Sequence, residues 1–169
     1  VKDTQVVYQE LVQSLVAEND RAKIFCEVTA DLFPGYDSSI GLQTNLNNAH
    51  ANDLRRRSTT KGPHKADIIF ESKGSLIKDK FSRGEQKLLS IIWSMSQNIM
   101  LGRVYNLSPI LLLDDLSSEL DSEMLECLLP ALKYIENRFI FSNIVDLFGS
   151  KIDDSNKKLK KFHVEQITQ

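Results

Sequence analysis

Residues 108–121, SPILLLDDLSSELD, carry the strongest indication of the fold class. After a Ser-Pro break, four consecutive apolar residues at 110–113 are typical of a strand buried on both faces of a mostly parallel sheet. Asp114 and Asp115 follow directly, at the strand end where ligands of open α/β sheets bind. One carboxylate there can hold a magnesium ion, and its neighbour can orient or deprotonate a water. For the pair alone, an ordinary strand end with an Asp turn or helix cap is the alternative.

A second motif, SRGEQKLL at residues 82–89, stands about thirty residues earlier. Ser82 and Glu85 have the spacing of a capping box, which predicts a helix start. Free backbone N–H groups, the serine hydroxyl and the positive end of the helix dipole would form an anion site, and Gly84 would let a phosphate approach the backbone. A plain capping box is the alternative. Apolar residues then recur at helical spacing, which predicts a long helix with a core-facing stripe that includes Leu88, Leu89, Ile92, Trp93, Met95, Ile99 and Met100.

Outward from these motifs, apolar periodicity predicts alternating helices and strands. Helices are predicted over residues 1–22, 41–57 and 122–135. Strands are predicted over residues 24–32, 66–71, 76–80, 138–141 and 160–167. The strands at 66–71 and 76–80 form a hairpin, and the weakly apolar helix 41–57 is expected to face Leu42, Leu46, Ala49 and Leu54 inward. The order predicts an α/β layer with right-handed crossovers.

Composition suits one globular unit with a real core, since 41% of the 169 residues are hydrophobic and 26% are charged. The formal net charge of -2 means that any contact with nucleic acid must come from a local patch. The densest basic cluster is a set of candidate DNA-phosphate contacts: Arg55, Arg56, Arg57, Lys61 and Lys65. A solvated helix face is the alternative for such a charge run.

The sequence does not favour a membrane-spanning protein, a secreted protein or a Cys/His metal site. No apolar run approaches the roughly 20 residues of a membrane helix, and no secretory signal opens the chain, so a cytoplasmic protein is predicted. Cys26 and Cys127 are expected to be reduced thiols, with a disulfide as the alternative. The sequence has no CxxC motif and its three histidines are scattered, which argues against a Cys/His metal site.

Together the motifs resemble a known family. SRGEQKLL is similar to the ABC signature motif in the form used by chromosome-maintenance proteins, and PILLLDDLSSELD looks like a Walker B strand running into a D-loop. TTKGPHKAD, residues 59–67, and the tail SNKKLKKFHVE, residues 155–165, resemble the RecF family of DNA-repair ATPases. The resemblance implies an α/β fold, the C-terminal lobe of an ABC-type ATPase head over residues 24–169, preceded by the end of a helical arm domain over residues 1–23.

The resemblance also implies roles for single residues. Asp114 would hold Mg²⁺, and Asp115 would be the catalytic base. Ser82 and Gly84 would contact the γ-phosphate of an ATP held by the other subunit, and Ser118 to Asp121 would form the D-loop. The implied cofactor-binding residues are Ser82, Arg83, Gly84, Glu85, Gln86, Ser118, Asp121 and Ser142. His64 lies in the GPH segment, where it either caps the turn or acts in function.

As a whole, the resemblance implies an ATP-dependent switch for recombinational repair. Two copies would form a homodimer around ATP and Mg²⁺, bind double-stranded DNA near single-strand gaps, and work with RecR and RecO. The sequence contains no GxxxxGK[ST] phosphate-binding loop and opens inside a helix-like stretch, which predicts a fragment of a slow ATPase that does not hydrolyse ATP alone. The alternative is an SMC-like or other ABC-type head fragment that acts as a non-catalytic dimerisation or interaction module.

Overall fold

The computed structural model describes residues 1–114, 116, 120–134 and 139–141. In chain order the helices and strands are α1 (Lys2–Glu18), β1 (Val28–Phe33), α2 (Gly41–Arg56), β2 (Asp67–Ser72), β3 (Ser75–Leu76), α3 (Ile77–Lys80), α4 (Arg83–Tyr105), β4 (Leu111–Leu113), α5 (Ser122–Tyr134) and β5 (Phe139–Phe141). Two 3₁₀ segments, Asp20–Phe25 and Pro63–Lys65, connect these elements. Helices and strands are interspersed along the chain, with β2 followed directly by β3 and α3 by α4, in keeping with an α/β fold.

The strands form two small sheets. β1, β2 and β3 make an antiparallel sheet in that order, and β4 pairs with β5 in parallel. The predicted hairpin turns at Lys73-Gly74, where both residues have positive φ (52° and 70°), as a two-residue type I′ turn needs. The parallel register of Leu111 with Phe139 confirms the predicted strand–helix–strand unit, with α5 as the connection.

The core lies where α1, α4 and α5 pack against one another. Tyr8, on α1, is fully buried and donates a hydrogen bond from its hydroxyl to the Phe25 carbonyl oxygen at 2.9 Å. Burial raises the pKa of Tyr8, and the nearby Cys26 adds to that rise. Trp93 lies between Tyr8 and Phe70, with ring centroids 5.8 Å and 5.1 Å away. α1 therefore shares this core with α4, and the domain boundary near residue 23 stays a prediction.

The first predicted helix and strand have different bounds from those expected. α1 ends at Glu18 because Asn19 is extended and its side chain accepts a hydrogen bond from the Arg21 N–H, which starts a 3₁₀ segment. The strand therefore begins at Val28, and the strand predicted over residues 24–32 was wrong for residues 24–27. Leu32 was expected to be buried with Val28 but is 60% exposed.

Two further strand predictions need correction. β3 stops at Leu76 because residues 77–80 turn into the short helix α3, so the strand over 76–80 was wrong. β4 alternates instead of being buried on both faces: Leu111 and Leu113 are buried, whereas Leu112 is 69% exposed. Within the described residues, packing covers only the face that carries Leu111 and Leu113.

The helix predictions fared better. α2 has the predicted length, but only Asn45 is buried in it, so the expected inward face was wrong for Leu54, which is 66% exposed.

Both cysteines are thiols, Cys26 half-buried and Cys127 buried, and burial raises the pKa of Cys127. Within the described part of the chain, no helix has the length and apolarity to cross a membrane. The strand predicted over residues 160–167 lies outside the described residues.

Candidate functional site

The start of α4 is the predicted capping box. Ser82 is the N-cap, with φ -60° and ψ 163°, and its hydroxyl accepts a hydrogen bond from the Glu85 N–H at 3.3 Å. The Glu85 carboxylate in turn accepts one from the Ser82 N–H at 2.7 Å. These reciprocal bonds satisfy two of the four N–H groups that a helix start leaves without intrahelical partners. The other two belong to Arg83 and Gly84, so the helix start retains N–H donors for an anion.

Gly84 is a glycine that the fold does not require. It has an ordinary helical φ, since it is not among the residues with positive φ. A Cβ added there would meet, among the described atoms, only Met124 Cγ at 3.8 Å, an ordinary van der Waals distance. A glycine in a helix also costs up to about 1 kcal/mol relative to alanine. Gly84 is therefore better explained by a bound group that approaches the backbone of the first turn of α4.

The side chains of Glu85 and Gln86 are engaged within the chain. Glu85 closes the capping box, and Gln86 donates from Nε2 to the Phe81 carbonyl oxygen at 2.7 Å. Phe81 packs edge-on against Phe25, with ring centroids 5.8 Å apart. The two polar side chains therefore hold the helix start in place. Ser82 and Arg83 remain exposed at the surface.

Charges of both signs lie near this helix start in the sequence. Lys78 and Lys80 precede it on α3, and Arg83 is its first helical residue. Lys80 donates from Nζ to the Ser72 carbonyl oxygen at 2.9 Å, which ties α3 to β2. Asp79 on α3 and Glu85 in the first turn of α4 offset part of the positive charge.

The predicted Walker B and D-loop residues are described only in part. Asp114 follows β4 directly and is exposed. Asp121 caps α5: its Oδ1 accepts from the Met124 N–H at 2.8 Å, and its carbonyl oxygen accepts from the Leu125 N–H at 3.0 Å. The residues that lie outside the described part are Asp115, Ser118 and Ser142.

The starts of α4 and α5 are neighbours. Gly84 faces Met124 in the first turn of α5, and Glu123 in the same turn forms an ion pair with Arg21. The helix that begins with the signature-like motif therefore contacts the helix that follows the predicted D-loop, although the two helix starts are about forty residues apart in sequence. For magnesium, Asp114 offers one exposed carboxylate, which is enough where phosphate and water supply the other ligands. Within the described residues, no group of three or more His, Cys, Asp or Glu could hold a metal ion.

The basic cluster lies on α2 and the loop after it. Arg55 and Arg56 occupy the last turn of α2, and Arg57 is its left-handed C-cap with φ 54°. Lys61 and Lys65 lie on the following loop, and all five cations are exposed. Cations at this position suit the negative end of the helix dipole.

The GPH segment is held by contacts that favour the turn-capping interpretation of His64. Its Nε2 lies 3.0 Å from Thr59 Oγ1 and 3.2 Å from the Thr59 carbonyl oxygen. Gly62, with φ 135°, donates from its N–H to the Gly35 carbonyl oxygen at 3.0 Å. Gly35 was not singled out from the sequence. A Cβ there would lie 2.0 Å from the Gly62 carbonyl oxygen, so this pair of glycines sets the loop's position.

A protein-family model, described as "AAA domain, putative AbiEii toxin, Type IV TA system", matches residues 25–142. The match covers well over half of the chain and includes both the capping-box helix and the strand that ends at Asp114. The chain belongs to this family of AAA domains.

Curated relatives confirm the RecF resemblance. The DNA replication and repair protein RecF of Pseudoalteromonas translucida is 33% identical over 132 residues, which are 78% of this chain and 36% of the relative. RecF of Acinetobacter baumannii (strain ATCC 17978) is 33% identical over 152 residues, 88% of this chain and 42% of the relative. The chain therefore spans about two fifths of the length of these relatives.

Solved structures confirm the fold class. A structure of the recombination mediator protein RecF-ATPrS in the RecFOR pathway has a TM-score of 0.51 at 22% identity, covering 85% of this chain and 40% of that one. A RecF-ATP structure gives 0.50 at 19% identity, with 84% and 39% covered. At these identities the likeness concerns the fold, which is the predicted α/β fold of an ABC-type ATPase head.

Proposed function

We propose that the chain is the C-terminal part of a RecF-type, ATP-dependent DNA-binding switch. One observation carries the proposal: the exposed start of α4 presents the N–H groups of Arg83 and Gly84 beside the Ser82 hydroxyl, and neither backbone strain nor packing explains the glycine. A helix start with two free N–H donors is suited to a phosphate. The RecF relatives and the RecF-ATP structure support ATP as the source of that phosphate.

In this proposal the ATP site is shared between two copies of the protein. Ser82 and Gly84 would contact the γ-phosphate of the nucleotide held by the partner, so that ATP joins the two heads. Asp114 would hold Mg²⁺, which neutralises phosphate charge, and Asp115 would accept the proton of the attacking water. Ser118 to Asp121 would cross the dimer interface beside the signature-like helix start, and Ser142 would sense the γ-phosphate.

The exposed face of β4 supports a larger head than this chain provides. Ile110 is 55% exposed and Leu112 is 69% exposed, although both are large aliphatic residues at a strand. The sequence contains no GxxxxGK[ST] loop to hold the β- and γ-phosphates. In a protein of the relatives' length, an N-terminal lobe would supply that loop and cover this face. The chain by itself would then not hydrolyse ATP.

The biological role follows from the same family. The assembled dimer would bind duplex DNA near single-strand gaps, with Arg55–Arg57, Lys61 and Lys65 as phosphate contacts, and hydrolysis would release it. RecO and RecR would be its partners in recombinase loading. Two thiols without a disulfide, Cys26 and Cys127, are in keeping with a reducing cytoplasm.

The direct test is Ser82→Arg in the full-length protein. We expect ATP-dependent dimerisation, measured by light scattering during size-exclusion chromatography, to weaken by about tenfold or more, because even a 1.4 kcal/mol clash has that effect. The matched control is Ser90→Arg, which places the same side chain at an exposed position two turns along α4. If the Ser82 variant still dimerises with ATP as the wild type does, the shared site is not at the start of α4.

A second candidate function, a non-catalytic dimerisation or interaction module, is favoured by the missing phosphate-binding loop. Asp115→Asn in the full-length protein separates the two. A catalytic base predicts retained ATP binding, turnover reduced by about 100-fold or more, and longer-lived dimers, all measurable by nucleotide binding and phosphate release. Turnover that is absent in the wild type, or unchanged in the variant, would favour the module and remove Asp115 from the role of base.

A further inference from the structure

The exposed side of α2 has an unusual set of side chains. Within the described part of the chain no other helix or strand packs extensively against α2, and its single buried residue is Asn45. The exposed positions carry uncharged hydrogen-bonding groups: Gln43, Thr44, Asn47, Asn48 and His50. A helix that is polar on nearly all sides gains little from packing, so these residues are not explained by the core.

Asn45 is an amide side chain of α2 with a structural role. Its Nδ2 donates to the carbonyl oxygens of Asp37 and Gly41 at 2.7 Å and 2.8 Å, and its Oδ1 accepts from the Asp37 N–H at 3.1 Å. It thereby fixes the loop that leads into α2. By contrast, Gln43 and Asn47 bond only to each other, at 3.1 Å, which leaves the Gln43 oxygen and the Asn47 nitrogen for outside partners.

The charge of this region is opposite to that of the rest of the chain. Residues 37–67 contain five Lys or Arg and three Asp, a formal net charge of +2, whereas the whole chain has -2. Asp53 accepts hydrogen bonds from the Thr60 N–H at 3.0 Å and the Thr60 hydroxyl at 2.7 Å. Asp37 accepts hydrogen bonds from Ser39 that lower its pKa, and the nearby Lys61 helps to lower it. A local positive surface on an acidic protein fits a polyanion.

We propose that α2 lies along duplex DNA through a surface formed by Gln43, Asn47 and Asn48 with Arg55, Arg56 and Arg57, here called the α2 surface. The inference rests on the proposed function, in which the protein binds DNA, and assigns the mode of contact. The arginines bind phosphates, and the amides add uncharged hydrogen bonds to sugars, phosphates or base edges. A 16-residue helix is about 24 Å long, which matches about seven base pairs.

The two halves of the α2 surface are distinguished by their salt dependence. Each phosphate contact that an arginine makes contributes about 0.9 to the slope of log affinity against log salt, whereas an uncharged hydrogen bond contributes almost nothing. Replacing Arg55, Arg56 and Arg57 by Gln is therefore expected to reduce that slope by up to about 2.7. Replacing Gln43, Asn47 and Asn48 by Ala is expected to weaken binding by about tenfold or more with the slope unchanged.

The experiment measures binding of a fluorescein-labelled gapped duplex to the full-length protein, with ATP, between about 50 and 200 mM salt. Matched controls on α1 are Lys2→Gln for charge and Gln13→Ala for an amide, both at exposed positions. Wild-type affinity and slope in both sets of α2 variants would overturn the proposal, as would losses no larger than those of the controls. ATP-dependent dimerisation is measured on the same variants. If it stays intact while DNA binding is unaffected, the α2 surface is refuted and the shared ATP site is not.

Discussion

α4 and α2 are the two long helices that follow the first strand, and they are stabilised in opposite ways. α4 buries eight residues, among them Leu88, Ile92 and Met95, and its exposed positions are Arg83, Ser90 and residues 103–105. α2 buries only Asn45, and an apolar residue that its periodicity placed inside, Leu54, is exposed. The candidate ligand site on α4 is thus held by the core, whereas the candidate surface on α2 lies outside it.

This difference in burial between α4 and α2 predicts where a substitution lowers stability and where it affects binding alone. An anion site needs donors in fixed positions, and the packing of α4 below its first turn supplies that rigidity. A surface that binds an extended polyanion needs positive charges and hydrogen-bonding groups distributed along it. The exposed residues of α2 provide both, and none of them belongs to the core. Substitutions should therefore separate into those that unfold the protein and those that leave it folded but inactive.

The largest expected effect comes from the buried side of α4. Ile92→Ala removes a side chain that is 1% exposed and should lower the free energy of unfolding by about 2–5 kcal/mol. Leu54→Ala on α2 is the matched control and should stay within about 0.5 kcal/mol of the wild type. Urea denaturation followed by circular dichroism measures both. Comparable losses for the two variants would show that α2 is packed more tightly than its exposure indicates.

An intermediate effect is expected from two glycines. Gly35→Ala puts a Cβ 2.0 Å from the Gly62 carbonyl oxygen at φ 86°, so the cost of this backbone clash adds to that of the positive φ, which alone is about 1–2 kcal/mol. Gly84→Ala meets no close atom and should leave the melting temperature unchanged or slightly higher, while ATP-dependent dimerisation is lost. Thermal unfolding and light scattering on both variants test the contrast. A Gly84 variant that keeps ATP-dependent dimerisation would remove the argument from that glycine.

The smallest effect concerns the amides of α2. Asn45→Ala removes three hydrogen bonds and leaves the Asp37 N–H without its partner, so a loss of about 1–3 kcal/mol is expected. Asn48→Ala, on the exposed side of the same helix, should change the free energy of unfolding by less than about 0.5 kcal/mol. Chemical denaturation of the two variants sharpens the distinction between amides that hold the fold and amides that face solvent. Equal effects would place Asn48 in the fold as well.

Much of the fold could be predicted because its signals are local. The Ser82–Glu85 capping box depends on residues three apart, and the hairpin turn at Lys73-Gly74 depends on two adjacent conformations. The errors arose where distant contacts decide. The start of β1 moved because Asn19 redirects the chain, and Leu112 is exposed because packing covers one face of β4 only, which a run of four apolar residues does not reveal.

Local sequence was enough to predict the types of most described elements, the capping box and the family, because periodicity and short motifs depend on neighbouring residues. The exceptions were residues 24–27 and 77–80, which were predicted as strand. Three features were visible only in the tertiary structure. The start of α4 lies against the first turn of α5, and Gly84 has space for a Cβ, so packing does not require a glycine there. Gly35 and Gly62 approach each other closely and are joined by a backbone hydrogen bond. The tertiary structure also separated Asn45 from the other amides of α2. The physical reason is that these properties depend on which distant atoms occupy the space around a residue, and burial and close approach are set by the folded chain as a whole.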